Sequence, residues 1–165
     1  MTQYLISLLL SLVVLTPPDI NGWKKTTWGM KEAELIKAVP EARLLEKPEI
    51  YGYGRYATLS IPDYEALTLH FRVYFQMDSA SKSLCGVIMK YNGKDPKEYF
   101  SAIGTTLIEK YGAPVDKEDN PSSHQWIWVF PKTRITLSYF NEPSIKYEGL
   151  TIYYNSISLG ESQKF

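Results

Sequence analysis

Residues 67–77 carry the most constraining pattern in this chain, a strict alternation of apolar and polar side chains. Successive side chains of a strand point to opposite faces, so this period of two predicts a β-strand with one face in a core and the other in water. Turn-forming residues 78–81 and the apolar run 84–91 predict that the strand returns as an antiparallel hairpin. The apolar members of the pattern are Leu67, Leu69, Phe71, Val73, Phe75 and Met77.

Two other segments carry helical patterns. The first is residues 31–39, which Pro40 ends. The second is residues 95–111, where Asp95 predicts an N-cap and Glu98 completes a capping-box pattern. Loss of that cap would cost about 1 kcal/mol. The apolar stripes comprise Ala33, Ile36 and Val39 in the first segment and Tyr99, Ile103, Leu107 and Tyr111 in the second.

Further strands are predicted on both sides of the second helix. Residues 43–61 predict one or two strands interrupted by glycines, and residues 125–130, 133–140 and 149–157 predict three more. This order predicts an α+β fold in which two helices cover one face of an antiparallel sheet, with a possible tandem α-β-β-β repeat. A chain of 165 residues fits one domain. We assign the domain to residues 22–159 and expect a flexible tail at residues 160–165.

The N-terminal segment predicts export. Residues 5–15 are uncharged and apolar, and this run of 11 is too short to span a membrane, which takes about 20 residues. We therefore predict a signal peptide at residues 1–21 and an exported, periplasmic or extracellular protein. Residues 1–4 contain no Lys or Arg and no small-residue cleavage site precedes Pro17, so a short apolar anchor or a buried helix is the alternative. Membrane contact is expected only if the segment is retained.

Two short stretches resemble a group of small exported bacterial proteins. Residues 28–40 begin with Trp-Gly-Met before the first helical pattern, and Tyr-Gly-Ala-Pro at residues 111–114 ends the second. The layout is similar to that of the β-lactamase-inhibitor-protein and BamE-like outer-membrane-assembly group. The resemblance implies helix-plus-strand units that act by binding other proteins. The lipidation cysteine of the BamE-like lipoproteins has no counterpart here, and no functional residue is carried over.

Charge and cysteine content exclude several classes of partner and cofactor. Lys plus Arg and Asp plus Glu are equal at 18 each, so no net field attracts nucleic acid, and we expect no nucleic-acid partner. The single cysteine, Cys85, permits no intramolecular disulfide, and its apolar surroundings predict a small buried side chain. The glycines at Gly52 and Gly54 are followed by an extended stretch rather than a helix, so they do not predict a dinucleotide site. No cofactor is expected.

No catalytic or metal site is assigned. The two histidines, His70 and His124, have no zinc-ligand spacing. Ser122 and Ser123 precede His124, and Asp119 is nearby, but no nucleophile elbow accompanies them, so a catalytic triad is not predicted. The acidic residues are scattered, and whether two of them face one substrate is not visible in the sequence.

The polar face of the predicted sheet is the best candidate surface. Tyr and Arg are enriched at interface hot spots, so we expect an exported, non-enzymatic binding or inhibitor-like protein that docks a protein of the cell envelope. An ordinary hydrated sheet face fits the same composition. The alternative function is a small exported hydrolase or carbohydrate-binding protein with an aromatic-lined cleft. The predicted partner-binding residues are His70, Arg72, Tyr74, Arg134, Thr136 and Tyr153.

Overall fold

The computed structural model describes residues 19–160 and shows an α+β fold. The helices are α1 (Glu32–Ala38), α2 (Pro96–Tyr111) and α3 (Ile157–Gly160), with a short 3-10 helix at Pro143–Ile145. The strands are β1 (Arg43–Tyr51), β2 (Arg55–Ala66), β3 (Leu69–Asp78), β4 (Ser83–Tyr91), β5 (Asp116–Asn120), β6 (Ser123–Val129), β7 (Thr133–Glu142) and β8 (Tyr147–Ser156).

All eight strands form one antiparallel sheet in the order β1-β2-β3-β4-β8-β7-β6-β5. Strands β1–β4 and β5–β8 are two meanders joined where β4 pairs with β8. Four strands follow α1, where the sequence predicted three or four, and four follow α2, where it predicted three. The strand missed after α2 is β5, whose residues are all exposed and therefore show no apolar alternation.

The main core lies between the sheet and the two longer helices. One buried cluster contains strand residues together with residues of both helices. The first helix contributes Leu35 and the adjoining Val39, and α2 contributes Phe100, Ile103 and Leu107. Both helices therefore cover the same face, as the sequence predicted. Gly104 lets α2 approach the sheet closely, because a Cβ there would lie 2.3 Å from the Trp126 ring.

The structure corrects two details of the predicted elements. In α1 the buried residue is Leu35, whereas Ile36, on the predicted apolar stripe, is 45% exposed. Strand β3 begins at Leu69, because Leu67 and Thr68 form the two-residue turn after β2 with positive φ angles of 56° and 61°. That pair of angles is typical of the tight hairpin turn that matches sheet twist. The alternation of apolar and polar residues includes Leu67 and Thr68, so the sequence pattern alone did not show that these two residues form a turn.

Asp95 precedes α2 as predicted, but the capping box is absent. Asp95 has a left-handed conformation (φ 51°, ψ 53°), and its side chain makes no capping hydrogen bond. The predicted cost of losing that cap is therefore wrong. We expect Asp95→Gly to raise the free energy of unfolding by up to about 1 kcal/mol, because glycine adopts this conformation without steric cost. Urea denaturation would check this, and a loss of about 1 kcal/mol would restore the N-cap interpretation.

The residues before α1 pack against the domain. Thr133, which is fully buried, donates its hydroxyl to the carbonyl of Ile20 and accepts the Trp28 indole N–H at 2.8 Å. The predicted signal peptide lies outside the described residues except for residues 19–21, as does the predicted tail except for Gly160. Within residues 19–160, none of the helices is long and apolar enough to cross a membrane.

Candidate functional site

The candidate site is the sheet face opposite α1 and α2, which we call the open face. Its centre is a row of four residues in register across β3, β4, β8 and β7, comprising Tyr74, Ile88, Tyr153 and Thr136. Tyr74, Ile88 and Ala57 form a small apolar cluster with Leu45, Tyr51 and Tyr153 around it. Every described member of that cluster belongs to a strand, so the described helices do not contribute to this cluster.

A charged network lies beside Tyr74. The Tyr51 hydroxyl donates to Glu49 Oε2 at 2.8 Å, and Lys90 Nζ is 3.9 Å from the same oxygen. Lys90 Nζ also lies 4.7 Å from the centre of the Tyr74 ring, within cation-π range. Burial raises the pKa of Tyr74, while the neighbouring Arg72 opposes that rise. Burial, reinforced by Glu49, raises the pKa of Tyr51, so both hydroxyls stay protonated and remain hydrogen-bond donors at neutral pH.

A second polar contact crosses the middle of the sheet. Arg55 on β2 donates from Nη1 to Asn155 Oδ1 on β8 at 2.8 Å. Gly86 of β4 lies in register between Gln76 and Asn155. A Cβ at Gly86 would be 2.8 Å from Gln76 Oε1 and 3.0 Å from Asn155 Oδ1. The missing side chain therefore leaves room for Arg55 and Asn155 to meet over the sheet.

The six predicted residues share this face but differ in exposure. Arg72, Arg134 and His70 are exposed, and Tyr153 is half-buried. Tyr74 is only 4% exposed and Thr136 only 9%, so the expectation that the whole polar face is wet is wrong at these positions. Tyr74 packs in the small apolar cluster with Ile88, and Thr136 pairs with Tyr153, and alternation alone does not reveal these neighbours. Tyr74 and Thr136 support the face, whereas Arg72 and Arg134 are available for contact.

Sequence reasoning missed five members of the open face. Glu49, Tyr51 and Arg55 lie around the β1–β2 turn, in a stretch where β-bulges shift the register and hide the alternation. The sequence pattern assigns Lys90 and Asn155 to strands without marking either as a surface contact. A signal was available for Lys90, which alternates with Met89 and Tyr91 just as Arg72 alternates with Phe71 and Val73.

The histidines pair with aspartates at two separate places. His70 Nδ1 lies 2.8 Å from Asp63 Oδ1 beside a cavity of about 510 Å³ that Tyr91 and Tyr99 also line. His124 Nδ1 lies 2.9 Å from Asp119 Oδ1, and its ring stacks on Tyr139. This pairing was not predicted, since sequence adjacency does not show that β5 and β6 place the two residues opposite each other.

Ser123, the residue before His124, is not placed to act as a nucleophile with the His124–Asp119 pair. Ser123 adjoins His124 in β6, so their side chains point to opposite faces of the sheet. Within residues 19–160, no three His, Cys, Asp or Glu side chains are grouped to hold a metal ion. Cys85 is fully buried, as predicted, and burial raises the pKa of its thiol.

Comparison of the chain with protein-family models, with curated proteins and with solved structures found no match.

Proposed function

We propose that this protein is an exported binding or inhibitor-like protein that docks a protein partner of the cell envelope on the open face. The observation that carries the proposal is the arrangement of Arg72 and Arg134 around the central Tyr74–Tyr153 row. Both arginines are exposed, and the row between them is already packed. Arg and Tyr are enriched among the residues that dominate interface energies. Export rests on the apolar run at residues 5–15.

The charges on the open face indicate the charge expected of the partner. Arg55, Arg72, Lys90 and Arg134 surround the central row; among the described carboxylates, Glu49 interacts with Tyr74 in that row and Asp78 interacts with Arg55. Because Glu49 is already engaged by Tyr51 and Lys90, the arginines give the centre a positive surface. A partner of complementary charge would present acidic side chains around an apolar or aromatic projection. Half-buried Tyr153 supplies the rigid aromatic contact for such a projection.

The test is affinity capture from envelope extract by three purified proteins. These are the unaltered chain, Arg72→Ala/Arg134→Ala, and the control Lys37→Ala/Lys97→Ala, whose two exposed lysines lie on the helix side. We expect the arginine variant to bind the captured partner at least about 30-fold more weakly, since hot-spot residues contribute about 2 kcal/mol or more. The lysine variant should bind as the unaltered chain does.

Thermal melting of all three proteins separates binding from folding. Both double variants change exposed side chains, so their melting temperatures should stay close to that of the unaltered chain. Equal capture by the two double variants would reject the open face as the docking surface. Tyr74 is unsuited to this experiment, because removing a side chain that is 4% exposed perturbs the fold itself.

A further inference from the structure

A cleft of about 740 Å³ opens on the helix side of the sheet, opposite the open face. Met89 and Ile152, which pair in register on β4 and β8, form its floor. One wall is α2, and the other is formed by residues 20–27 and the end of β2. Its volume lies within the range of about 300–1,000 Å³ that small-ligand sites occupy.

The charged side chains that line the cleft are both cationic. They are Lys24 and Lys110, and no described lining residue is Asp or Glu. Lys24 Nζ lies 4.5 Å from the centre of the Tyr64 ring and 3.5 Å from Glu41, outside the lining. Lys110 Nζ lies 5.0 Å from the centre of the Tyr111 ring. Two ammonium groups beside an apolar floor complement a ligand with one apolar part and one anionic part.

Tyrosine hydroxyls supply hydrogen-bond donors inside the cleft. Tyr64, Tyr111 and Tyr154 all line it, and Tyr154 is only 6% exposed. Burial, with a contribution from Tyr111, raises the pKa of Tyr154 well above its usual value. Its hydroxyl is protonated at neutral pH and interacts with the Tyr111 side chain, which also lines the cleft, so the two tyrosines form a polar pair beside the apolar floor.

The rim of the cleft holds backbone strain. Lys24, which lines it, has a left-handed φ angle of 52° that non-glycine residues rarely adopt, whereas the φ of 56° at Leu67 belongs to the hairpin turn after β2. Leu67 is also 51% exposed although apolar. Such conformations cluster at ligand sites, where the surrounding structure holds them in place.

We propose that this cleft binds one single-chain amphiphile with an anionic carboxylate, of the fatty-acid type. The chain lies along the Met89–Ile152 floor, and the carboxylate meets Lys24, Lys110 and the tyrosine hydroxyls. The two lysines and the absence of carboxylates from the described lining select an acid over a neutral alcohol of the same chain. The cleft and the open face are on opposite sides of the sheet, so this site is independent of protein docking.

The test is isothermal titration of the full chain with decanoate and with 1-decanol. We expect decanoate to bind more tightly than 1-decanol and Lys24→Met/Lys110→Met to weaken decanoate about tenfold without weakening 1-decanol. The matched control, Lys37→Met/Lys97→Met, changes two exposed helix-side lysines that do not line the cleft and should leave both affinities unchanged.

A second variant tests the location. Thr106 of α2 lines the cleft, whereas the neighbouring Thr105 is exposed and does not. Thr106→Trp should fill the cleft and abolish binding of both probes, and Thr105→Trp should preserve it, with thermal melting confirming that both variants fold. Three results would each overturn the proposal. They are no binding of decanoate, binding of decanoate by Thr106→Trp as tight as by the unaltered chain, and equal affinities of the unaltered chain for decanoate and 1-decanol.

Discussion

Raising the pH above about 10 should progressively destabilise the folded state of this protein. Tyr74, Tyr139 and Tyr154 are 4%, 1% and 6% exposed, and burial raises the pKa of each above the ordinary value of 10.0. In the unfolded chain these hydroxyls ionise near their ordinary pKa, so above it the unfolded state binds fewer protons than the folded state. Stability is therefore complete below pH 10 and is lost as the pH rises towards the folded pKa values.

Each tyrosine whose pKa is raised in the folded state lowers the free energy of unfolding by about 1.4 kcal/mol per pH unit between its unfolded and its folded pKa. A domain of this size has a total stability of about 5–15 kcal/mol. Urea denaturation at a series of pH values, followed by circular dichroism, measures this slope directly.

The matched variant is Tyr139→Phe/Tyr154→Phe, which keeps both rings and removes two ionisable hydroxyls. Its stability should fall less steeply with pH than that of the unaltered chain, because two of the tyrosines whose pKa is raised in the folded state no longer ionise. At neutral pH the cost should be about 1 kcal/mol for each lost hydrogen bond, including that from the Tyr139 hydroxyl to Glu148 Oε1 at 2.7 Å. An unchanged slope, or ionisation of all tyrosines near pH 10 with the fold intact, would contradict this account.

Phe75→Ala should lower the free energy of unfolding by about 3–5 kcal/mol. Phe75 is 1% exposed at the middle of the sheet, opposite Leu59 on β2 and Val87 on β4. Its ring centre lies 5.9 Å from that of Trp23 in an edge-to-face arrangement. Truncation leaves a cavity that the surrounding strands cannot close, because their hydrogen bonds hold them in place. The melting temperature should fall by roughly 6–20 °C.

Phe140→Ala is the matched control, since it makes the same change in another strand. Phe140 is 42% exposed on the open face, where its ring contacts Tyr147. We expect a loss of about 1 kcal/mol or less, because most of this side chain is not removed from water on folding. Calorimetric melting of the two variants gives the comparison. Similar losses in both would show that Phe75 does not occupy the centre of the core.

The alternation at residues 69–77 by itself determined a central part of the fold. A period of two is compatible with a strand that buries one face, and Phe71, Val73, Phe75 and Met77 all lie in the main core. The apolar stripe of residues 96–111 likewise determined a helix that packs on that face, with Phe100, Ile103 and Leu107 buried. These signals are local, so they are readable without knowledge of distant partners.

Local pattern did not determine the elements that depend on neighbours. Strand β5 consists of exposed polar residues and is held by its pairing with β6, so it has no signal of its own. Asp95 has an N-cap residue type, but the left-handed backbone before α2 turns the side chain away from capping. Leu35 rather than Ile36 is buried in α1, so the spacing of apolar residues alone did not identify the buried side of this short helix.

The candidate sites divide in the same way. Alternation assigned His70, Arg72 and Tyr74 to the polar face of one strand and Arg134 and Thr136 to the polar face of another. That these residues and Tyr153 share one free face of the sheet was a hypothesis that depended on the strand order. Only the strand order, in which β4 pairs with β8, made Tyr74 and Tyr153 neighbours of Ile88 and buried Tyr74 and Thr136. The cleft was not visible in the sequence, because Lys24, Leu67 and Lys110 come from three distant segments. Faces follow from the two-residue period of a strand, whereas burial and cavities follow from which distant strands and helices pack together.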